Sequence, residues 1–351
     1  MVWQPLGRDM GNLLLAKEEP AMFYPTSLNR CWVSLCVLGF LFIFHGPADA
    51  QSKAVRLSIA TAGTGGVYYV IGGGVAALIS KHIPNTEATA EVTAASVDNM
   101  KLIMTRKSDL AFSTADVAYD AQQGVERFKS TGKVPVKAMA MVYPSVGHIV
   151  TLEGIGIHRV SDLKGKRVST GAPGSGVEVT ALKIFDVARI DPNKDIRRER
   201  LGVTESVGAM KDRKIDAFFW GGGIPAGAIL DLASTPGMKI KLLAHDDVLE
   251  KVNQKFGPTY FRFVVPKETY PGMTQPVPVI ATGNIMVCHE SMDEKLVYDI
   301  LKVIFEHRQD LIAIHKEAEK ITLESAVMGC GLPFHAGAIR YFKERKAWPE
   351  K

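Results

Sequence analysis

Short runs of β-branched and other apolar residues alternate with longer stretches of helical periodicity through most of the chain. The strand-like runs are Val55–Ala60, Ala88–Val92, Leu110–Ser113, Val136–Val142, Arg167–Thr170, Ile215–Trp220 and Lys239–Ala244. Strands that alternate with helices predict an α/β fold with mostly parallel sheets. A further apolar run, Val279–Val287, predicts a strand that leads into a helix over 292–313, which begins at a capping box formed by Ser291 and Glu294.

A faint internal repeat bears on the number of lobes. Ser96–Lys101 leads to Lys107–Phe112, and Ser206–Lys211, about 110 positions later, leads to Lys214–Phe218 in the same order of helix, turn and buried strand. Two lobes of similar topology are one interpretation. Chance similarity between two helix–strand units is the other.

Two segments are candidates for the connections between such lobes. The first lies near Tyr143–Val150, and the second lies within Phe261–Val287, which holds four prolines. The predicted organisation is an N-terminal extension with a signal peptide in residues 1–50, the first part of lobe 1 in 51–146, lobe 2 in 147–280, and the return of lobe 1 in 281–351.

The N-terminal region has the order of a secretory signal. Arg30 precedes the apolar run Cys31–Phe44, and Ala48-Asp49-Ala50 then supplies a small-x-small cleavage site. A membrane anchor is the alternative, but a span needs about 20 apolar residues. We therefore predict secretion with cleavage after Ala50; residues 1–21 are polar, so Met22 is an alternative start to Met1.

Composition and charge exclude several classes of protein. The chain has 351 residues, of which 46% are hydrophobic and 23% charged, as in a folded globular protein of about two domains. The net charge of +5 comes from scattered residues, so nucleic acid is not a predicted partner. After cleavage Cys288 and Cys330 remain, and the sequence leaves open whether they form a disulfide or stay as two buried thiols.

Four glycine-, serine- and threonine-rich turns follow strands and precede helices. They are Thr61–Tyr69, Thr93–Ser96, Gly171–Glu178 and Trp220–Pro225. Backbone N–H groups and the positive end of the helix dipole make such turns anion sites, and glycine allows a ligand to approach the backbone. A carboxylate or a neutral polar molecule, bound between the lobes, is the predicted ligand.

The same turns do not fit nucleotide binding or catalysis. Tyr68 stands where the third glycine of a dinucleotide fingerprint belongs, and Val177-Glu178 replaces the Lys-Ser/Thr of a phosphate loop. No nucleophile elbow, zinc motif or closely paired carboxylates occur, and the nine histidines are scattered. The sequence predicts no enzyme activity, no cofactor and no metal.

Structural interpretations compete at several of these positions. Ser175 and Glu178 form a Ser-x-x-Glu capping box, which occupies the serine hydroxyl without any ligand. Gly72-Gly73-Gly74 inside a helix is expected to permit close packing of that helix on the sheet. Of Tyr68 and Tyr69, one is expected to be a core aromatic and the other to close the pocket.

These motifs resemble, in order and spacing, the TAXI subfamily of solute-binding proteins that serve TRAP (tripartite ATP-independent periplasmic) transporters. The resemblance covers essentially the whole mature chain. The segments that show it are Ile59–Tyr69, Val92–Asn99, Ser113–Asp120, Asp162–Glu178 and Ile215–Pro225. This sequence departs from the residues common in the subfamily at Ala94-Ala95, at Ser113–Asp116 and at Trp220, and all of these positions lie beside the expected cleft.

The resemblance implies a type II periplasmic binding protein fold, with two α/β lobes joined by a hinge and a ligand cleft between them. It implies a small carboxylate ligand, such as glutamate or 2-oxoglutarate, and TRAP membrane permease subunits as partners. A periplasmic sensing subunit that presents the same ligand to a membrane signalling protein is the alternative function.

The turns then define the predicted ligand-binding residues. Those of lobe 1 are Gly65, Gly66, Val67, Tyr68, Tyr69, Ser96, Ser113 and Thr114, and those of lobe 2 are Ala172, Ser175, Gly176, Trp220, Gly222 and Gly223. A ligand that contacts both sets favours the closed state, because closure follows from its differential affinity for the two states.

Overall fold

The computed structural model describes residues 54–64, 66–328 and 331–349. Their strands are β1 Val55–Ala60, β2 Thr86–Glu91, β3 Leu110–Thr114, β4 Val136–Leu152, β5 Arg167–Ser169, β6 Arg197–Glu199, β7 Ala217–Gly222, β8 Ile240–Leu242, β9 Tyr260–Val265 and β10 Val277–His289. Their α-helices are α1 Val67–His82, α2 Ser96–Met104, α3 Ala115–Gln123, α4 Gly176–Val187, α5 Val203–Lys211, α6 Gly227–Ser234, α7 Leu249–Phe256, α8 Glu294–Glu306, α9 Arg308–Ile314, α10 Leu323–Ala326 and α11 Ala336–Glu344. The predicted signal peptide and Cys330 lie outside the described residues.

The strands join in the order β2-β1-β3-β10-β4-β7-β5-β6, with β8 paired to β4 and β9 to β10. Strands β1 to β3 pair in parallel, as do β5, β6 and β7. The centre differs from the predicted mostly parallel sheet, because β4 and β10 are long antiparallel strands that run from one half of the structure into the other. We call the half that contains β1 to β3 lobe 1 and the half that contains β5 to β9 lobe 2.

Strand alternation builds a core on both faces of each lobe. In β3, Leu110 and Phe112 pack beside α1, α8 and α11, whereas Ala111 packs beside α2 and α3. In β7, Phe219 joins the cluster that includes α4 and Phe218 joins the opposite one. The predicted α/β class with two lobes is confirmed, while the exact lobe boundaries stay a prediction.

All seven strand-like runs contain strands, but the predicted helix over 292–313 is wrong in two respects. The helix is interrupted at His307, so that α8 and α9 are separate. Its N-cap is Asp293, whose carboxylate accepts a hydrogen bond from the Leu296 N–H at 2.8 Å. The carboxylate of Asp293 is therefore the capping group in place of the Ser291 hydroxyl.

The glycine triplet in α1 packs as expected. A Cβ at Gly72 would lie 2.5 Å from Cγ2 of Thr61, and one at Gly74 would lie 2.8 Å from Cδ2 of Leu311. Glycine at these two positions lets α1 approach the sheet and α9 closely. Gly73 has open space around it.

Candidate functional site

A cavity of about 100 Å³ lies between the lobes at the point where several strands end and helices begin. Nine predicted binding residues line it, namely Gly66, Val67, Tyr68, Ser96, Thr114, Ser175, Gly176, Trp220 and Gly222. Residues not predicted also line it, namely Ala62, Ala95, Tyr143, Val177, Gly221 and Asn284. The turns that were separate along the chain are therefore brought together, and ligand binding by them stays a prediction.

Four helices begin at this cavity. The N-caps of α1, α2, α3 and α4 are Gly66, Ala95, Thr114 and Ser175, and each of these residues lines it. The N-terminus of a helix carries a partial positive charge of roughly half an elementary charge. None of the lining residues is charged, so the four dipoles make the cavity attractive to an anion without any lysine or arginine.

Three polar atoms that belong to the lining are buried without a hydrogen-bond partner. They are Oγ1 of Thr114, Nε1 of Trp220 and Nδ2 of Asn284. The indole and amide nitrogens are donors, and the hydroxyl is able to donate as well. A buried donor left unpaired costs about 1–3 kcal/mol, so a ligand oxygen that accepts from these groups would remove a real penalty.

Strand register explains why these groups converge. Asn284 on β10 lies opposite Thr114 on β3 and opposite Tyr143 on β4. The Tyr68 hydroxyl donates to Oδ1 of Asn284, which leaves Nδ2 as the unpartnered end of the amide. The structure thus aligns three polar side chains from neighbouring strands across one edge of the cavity.

Tyr68 combines the two roles that were expected of two tyrosines. Its ring stacks on Phe112 with centroids 5.3 Å apart and meets Tyr143 edge-on, so it belongs to the core while it lines the cavity. Burial raises the pKa of Tyr68 and of Tyr143 well above the usual value for tyrosine. Both hydroxyls therefore remain protonated at neutral pH.

The hydroxyl of Ser175 is occupied by local capping. Its Oγ accepts from the Glu178 N–H at 3.2 Å and donates to the Ala172 carbonyl at 2.7 Å. The Glu178 carboxylate does not complete the box, because it accepts from Arg198, Arg200 and the Gly174 N–H. The capping interpretation thus holds for the serine hydroxyl, while the glutamate anchors the turn to β6 and the segment after it.

Four predicted residues do not reach the cavity, and Gly65 lies outside the described residues. Ser113 alternates with Thr114 along β3, and its hydroxyl donates to the Thr114 carbonyl. Tyr69 is one position past Tyr68 on α1 and is turned to another side of the helix. Ala172 is absent from the lining, and its carbonyl accepts from the Ser175 hydroxyl. A Cβ at Gly223 would lie 2.5 Å from Cδ of Glu317, which fills that space.

Tyr143 and Asn284 were missed by the sequence analysis. Both lie on the long strands β4 and β10, in segments that were interpreted as connections between lobes. An asparagine inside the otherwise apolar run Val279–Val287 was the available signal, because a buried amide in a strand needs partners.

The lobes contact each other through a buried ionic cluster beside the cavity. Lys183 of α4 lies 2.8 Å from Oδ2 of Asp120 and 3.6 Å from Oδ2 of Asp116, both on α3, and all three side chains are at most 4% exposed. The Tyr260 hydroxyl donates to Asp116. Burial raises the pKa of Asp120 to about 7 although Lys183 opposes the rise.

Within the described ranges no helix is both long and apolar enough to cross a membrane. Among the same residues, no group of three or more His, Cys, Asp or Glu side chains is placed to hold a metal ion.

Comparison with known proteins gives one family match. The model of the NMT1-like family matches residues 59–345.

Many solved structures are similar at low sequence identity. One is a protein of Bordetella bronchiseptica RB50, at 14% identity and a TM-score of 0.50, with 85% of this chain and 91% of that chain covered. Another is the periplasmic aliphatic sulphonate binding protein SsuA from Escherichia coli, at 17% identity and a TM-score of 0.45, with 84% of each chain covered. A third is a putative L-cystine ABC transporter from Listeria monocytogenes, at 13% identity and a TM-score of 0.47, with 75% of this chain and 95% of that chain covered.

At such identities the likeness concerns the fold alone. The predicted fold, two α/β lobes of the periplasmic binding protein type, is confirmed by the strand order, and the match to the Bordetella bronchiseptica protein agrees with it.

Proposed function

This chain belongs to the NMT1-like family, which is of the periplasmic solute-binding type, and we propose that it captures a small organic anion between its lobes. The observation that carries the proposal is the cavity at which four helices begin and at which Thr114, Trp220 and Asn284 hold unpartnered polar atoms. A receptor needs such preorganised donors, because a ligand then satisfies groups that are already in place.

The chemistry of the lining favours a carboxylate. Its side chains offer indole, amide and hydroxyl groups, and the helix N-termini favour negative charge. A micromolar complex requires about 8 kcal/mol, and three to five hydrogen bonds to a charged group at about 1.5–3 kcal/mol each supply that. We infer a ligand in the class of glutamate or 2-oxoglutarate.

The cavity suits binding rather than reaction. Its lining includes no carboxylate, imidazole or thiol side chain, and these are the groups that most often move protons or attack a substrate. We therefore propose a receptor and not an enzyme.

The transport partner follows from the motif resemblance. The order and spacing that resemble the TAXI subfamily support delivery of the ligand to TRAP-type permease subunits. We also propose that residues 1–50 direct the protein to the periplasm. N-terminal sequencing of the exported protein tests this, with Gln51 as the expected first residue.

Ligand binding is tested by a thermal-shift screen of the purified protein against C4–C6 mono- and dicarboxylic acids and acidic amino acids, followed by calorimetry. A ligand at 100 times its Kd adds about 2.7 kcal/mol to the free energy of unfolding, so a true ligand gives a clear rise in Tm. If no acid in the panel raises the Tm, the proposal of a carboxylate receptor is wrong.

Two variants assign the binding to this cavity. Asn284→Leu removes the amide donor and keeps the number and branching of the side-chain heavy atoms, and we expect at least a tenfold rise in Kd. Ser113→Ala is the matched control, because Ser113 is buried on β3 beside Thr114 but does not line the cavity. Equal affinity of Asn284→Leu and the wild type would remove the cavity from the binding site.

A further inference from the structure

A second, smaller cavity adjoins the one described above, and its lining combines apolar and polar side chains. We call it the inner pocket; it encloses about 20 Å³, and Ile184, Phe219, His245 and Ile280 contribute to its wall. A cavity needs roughly 10–15 Å³ to hold one water molecule. The inner pocket therefore has room for a single oxygen-sized group.

His245 supplies the inner pocket with an unpartnered acceptor. The side chain is fully buried, and its Nδ1 lies 2.9 Å from the Leu243 carbonyl. Burial lowers the pKa of His245, so the ring is neutral at neutral pH. A carbonyl accepts only a donor, so the proton is on Nδ1 and Nε2 presents a lone pair that has no partner.

The neighbouring His148 shows how a similar ring is satisfied elsewhere in the lobe. Its Nδ1 lies 2.8 Å from the Val146 carbonyl, as in His245, but its Nε2 lies 3.0 Å from the Tyr270 hydroxyl. His148 thus has a partner on each nitrogen, and His245 has one on Nδ1 alone. Two other hydroxyls of the inner pocket are engaged, since Tyr260 donates to Asp116 and Thr282 donates to the Thr259 carbonyl.

The two cavities share part of their walls. Thr114, Gly176, Val177, Trp220 and Gly221 line both. A ligand whose anionic group accepts from Thr114 and Trp220 therefore lies against the wall that the two cavities share. The donors belong to this shared wall, and the acceptor, His245, belongs to the lining of the inner pocket alone.

We propose that the inner pocket selects ligands that carry a neutral hydrogen-bond donor, a hydroxyl group, at the end of the carbon skeleton remote from the carboxylate, with Nε2 of His245 as its acceptor. This inference rests on the proposed function, a receptor for a small carboxylate, and names hydroxy acids as its substrate class in place of the dicarboxylates glutamate and 2-oxoglutarate. An ammonium group is disfavoured, because the pocket wall contains no carboxylate and an unpaired buried charge is costly.

The test compares matched pairs of acids on the wild-type protein by calorimetry. The probes are ω-hydroxy acids of three to six carbons, each measured against the parent acid that lacks the hydroxyl. We expect at least one pair in which the hydroxy acid binds tenfold or more tightly. His245→Phe removes the acceptor, and we expect it to abolish that preference while the parent acid still binds.

Each outcome separates the two proposals. If the parent acids bind and no hydroxy acid binds more tightly, the inner pocket holds a fixed water or stays empty, and this inference is overturned while the receptor function stands. If no acid of either kind binds, the receptor proposal fails and this inference fails with it. Retention of the hydroxyl preference in His245→Phe would overturn the role of His245 even if that preference is real.

Discussion

A methyl group at Gly176 would separate the two lobes at the edge of the cavity. Gly176 is the first residue of α4 in lobe 2, and a Cβ there would lie 2.5 Å from Oγ1 of Thr114 and 3.0 Å from Oγ of Ser96. Both neighbours belong to lobe 1 and are buried, and Ser96 Oγ accepts from the Thr114 N–H at 3.1 Å. That bond holds Ser96 Oγ in place, and the space beside Thr114 is the cavity that the ligand is proposed to fill.

The size of the effect follows from this overlap. Extra methyl groups in a well-packed region cost about 1–3 kcal/mol. The overlap exists only when the lobes are in contact. The energetic cost therefore raises the free energy of the closed state and leaves the stability of each separate lobe unchanged. At 1.4 kcal/mol for each factor of ten, Gly176→Ala should weaken ligand binding roughly 5- to 150-fold. Gly176→Asp adds a carboxylate at the anion site, and we expect no detectable binding.

Calorimetry with the acid that gives the largest thermal shift measures this effect. Gly73→Ala is the matched control, because Gly73 also lies in a helix but has nothing within 4 Å of its added Cβ. That control should bind as the wild type does. The Tm of Gly176→Ala without ligand should change far less than its affinity.

Wild-type affinity in Gly176→Ala would refute the reasoning, because it would mean that the lobes bind ligand without this contact. A large loss of Tm in the absence of ligand would also contradict it, since the clash would then act on folding rather than on closure.

Three further predictions concern Trp220 in the cavity, Asp120 in the buried ionic cluster and Glu178 of α4. Saturating ligand should change tryptophan fluorescence, and Trp220→Phe should lose this change, because Trp220 lines the cavity; calorimetric binding without a change in Trp220 emission would refute it. The pKa of Asp120 is raised from 3.8 to about 7, so its protonated form stabilises the fold, and the unfolding free energy should fall as pH rises from about 4 to about 7. Denaturation of Asp120→Asn at several pH values should show a flatter dependence of the unfolding free energy on pH. An unchanged slope of that dependence would contradict the prediction. Glu178→Gln should lower the unfolding free energy by about 2–3 kcal/mol, because the buried carboxylate accepts from Arg198 and Arg200; a loss below 0.5 kcal/mol in urea denaturation would argue against it.

Periodicity and turn chemistry along the chain were enough to predict the local elements of the site. Apolar runs such as Leu110–Ser113 became strands, and the glycine-rich turns after them became helix N-termini, because both features depend on neighbouring residues. The N-caps Gly66 and Ser175 follow from the same local rules. An anion site at these turns was therefore a prediction that needed no tertiary information.

The selection of side chains within those elements required the tertiary structure. Ser113 and Thr114 were both predicted to bind, but adjacent residues on a strand point to opposite faces, and only Thr114 lines the cavity. Asn284 reaches Thr114 through the register of β10 with β3. A register shift of one residue would reverse both choices, and no local pattern specifies it.

Contacts between lobes depend still more on the complete fold. Lys183 meets Asp120 across the interface, and the unpartnered nitrogen of His245 lies in a pocket whose wall comes from several strands and helices. Each of these residues is unremarkable within its own segment. The sequence by itself determined the strands and the turns, whereas the pairing of distant charged and polar groups was decided by packing, because burial and desolvation exist only once the lobes have formed.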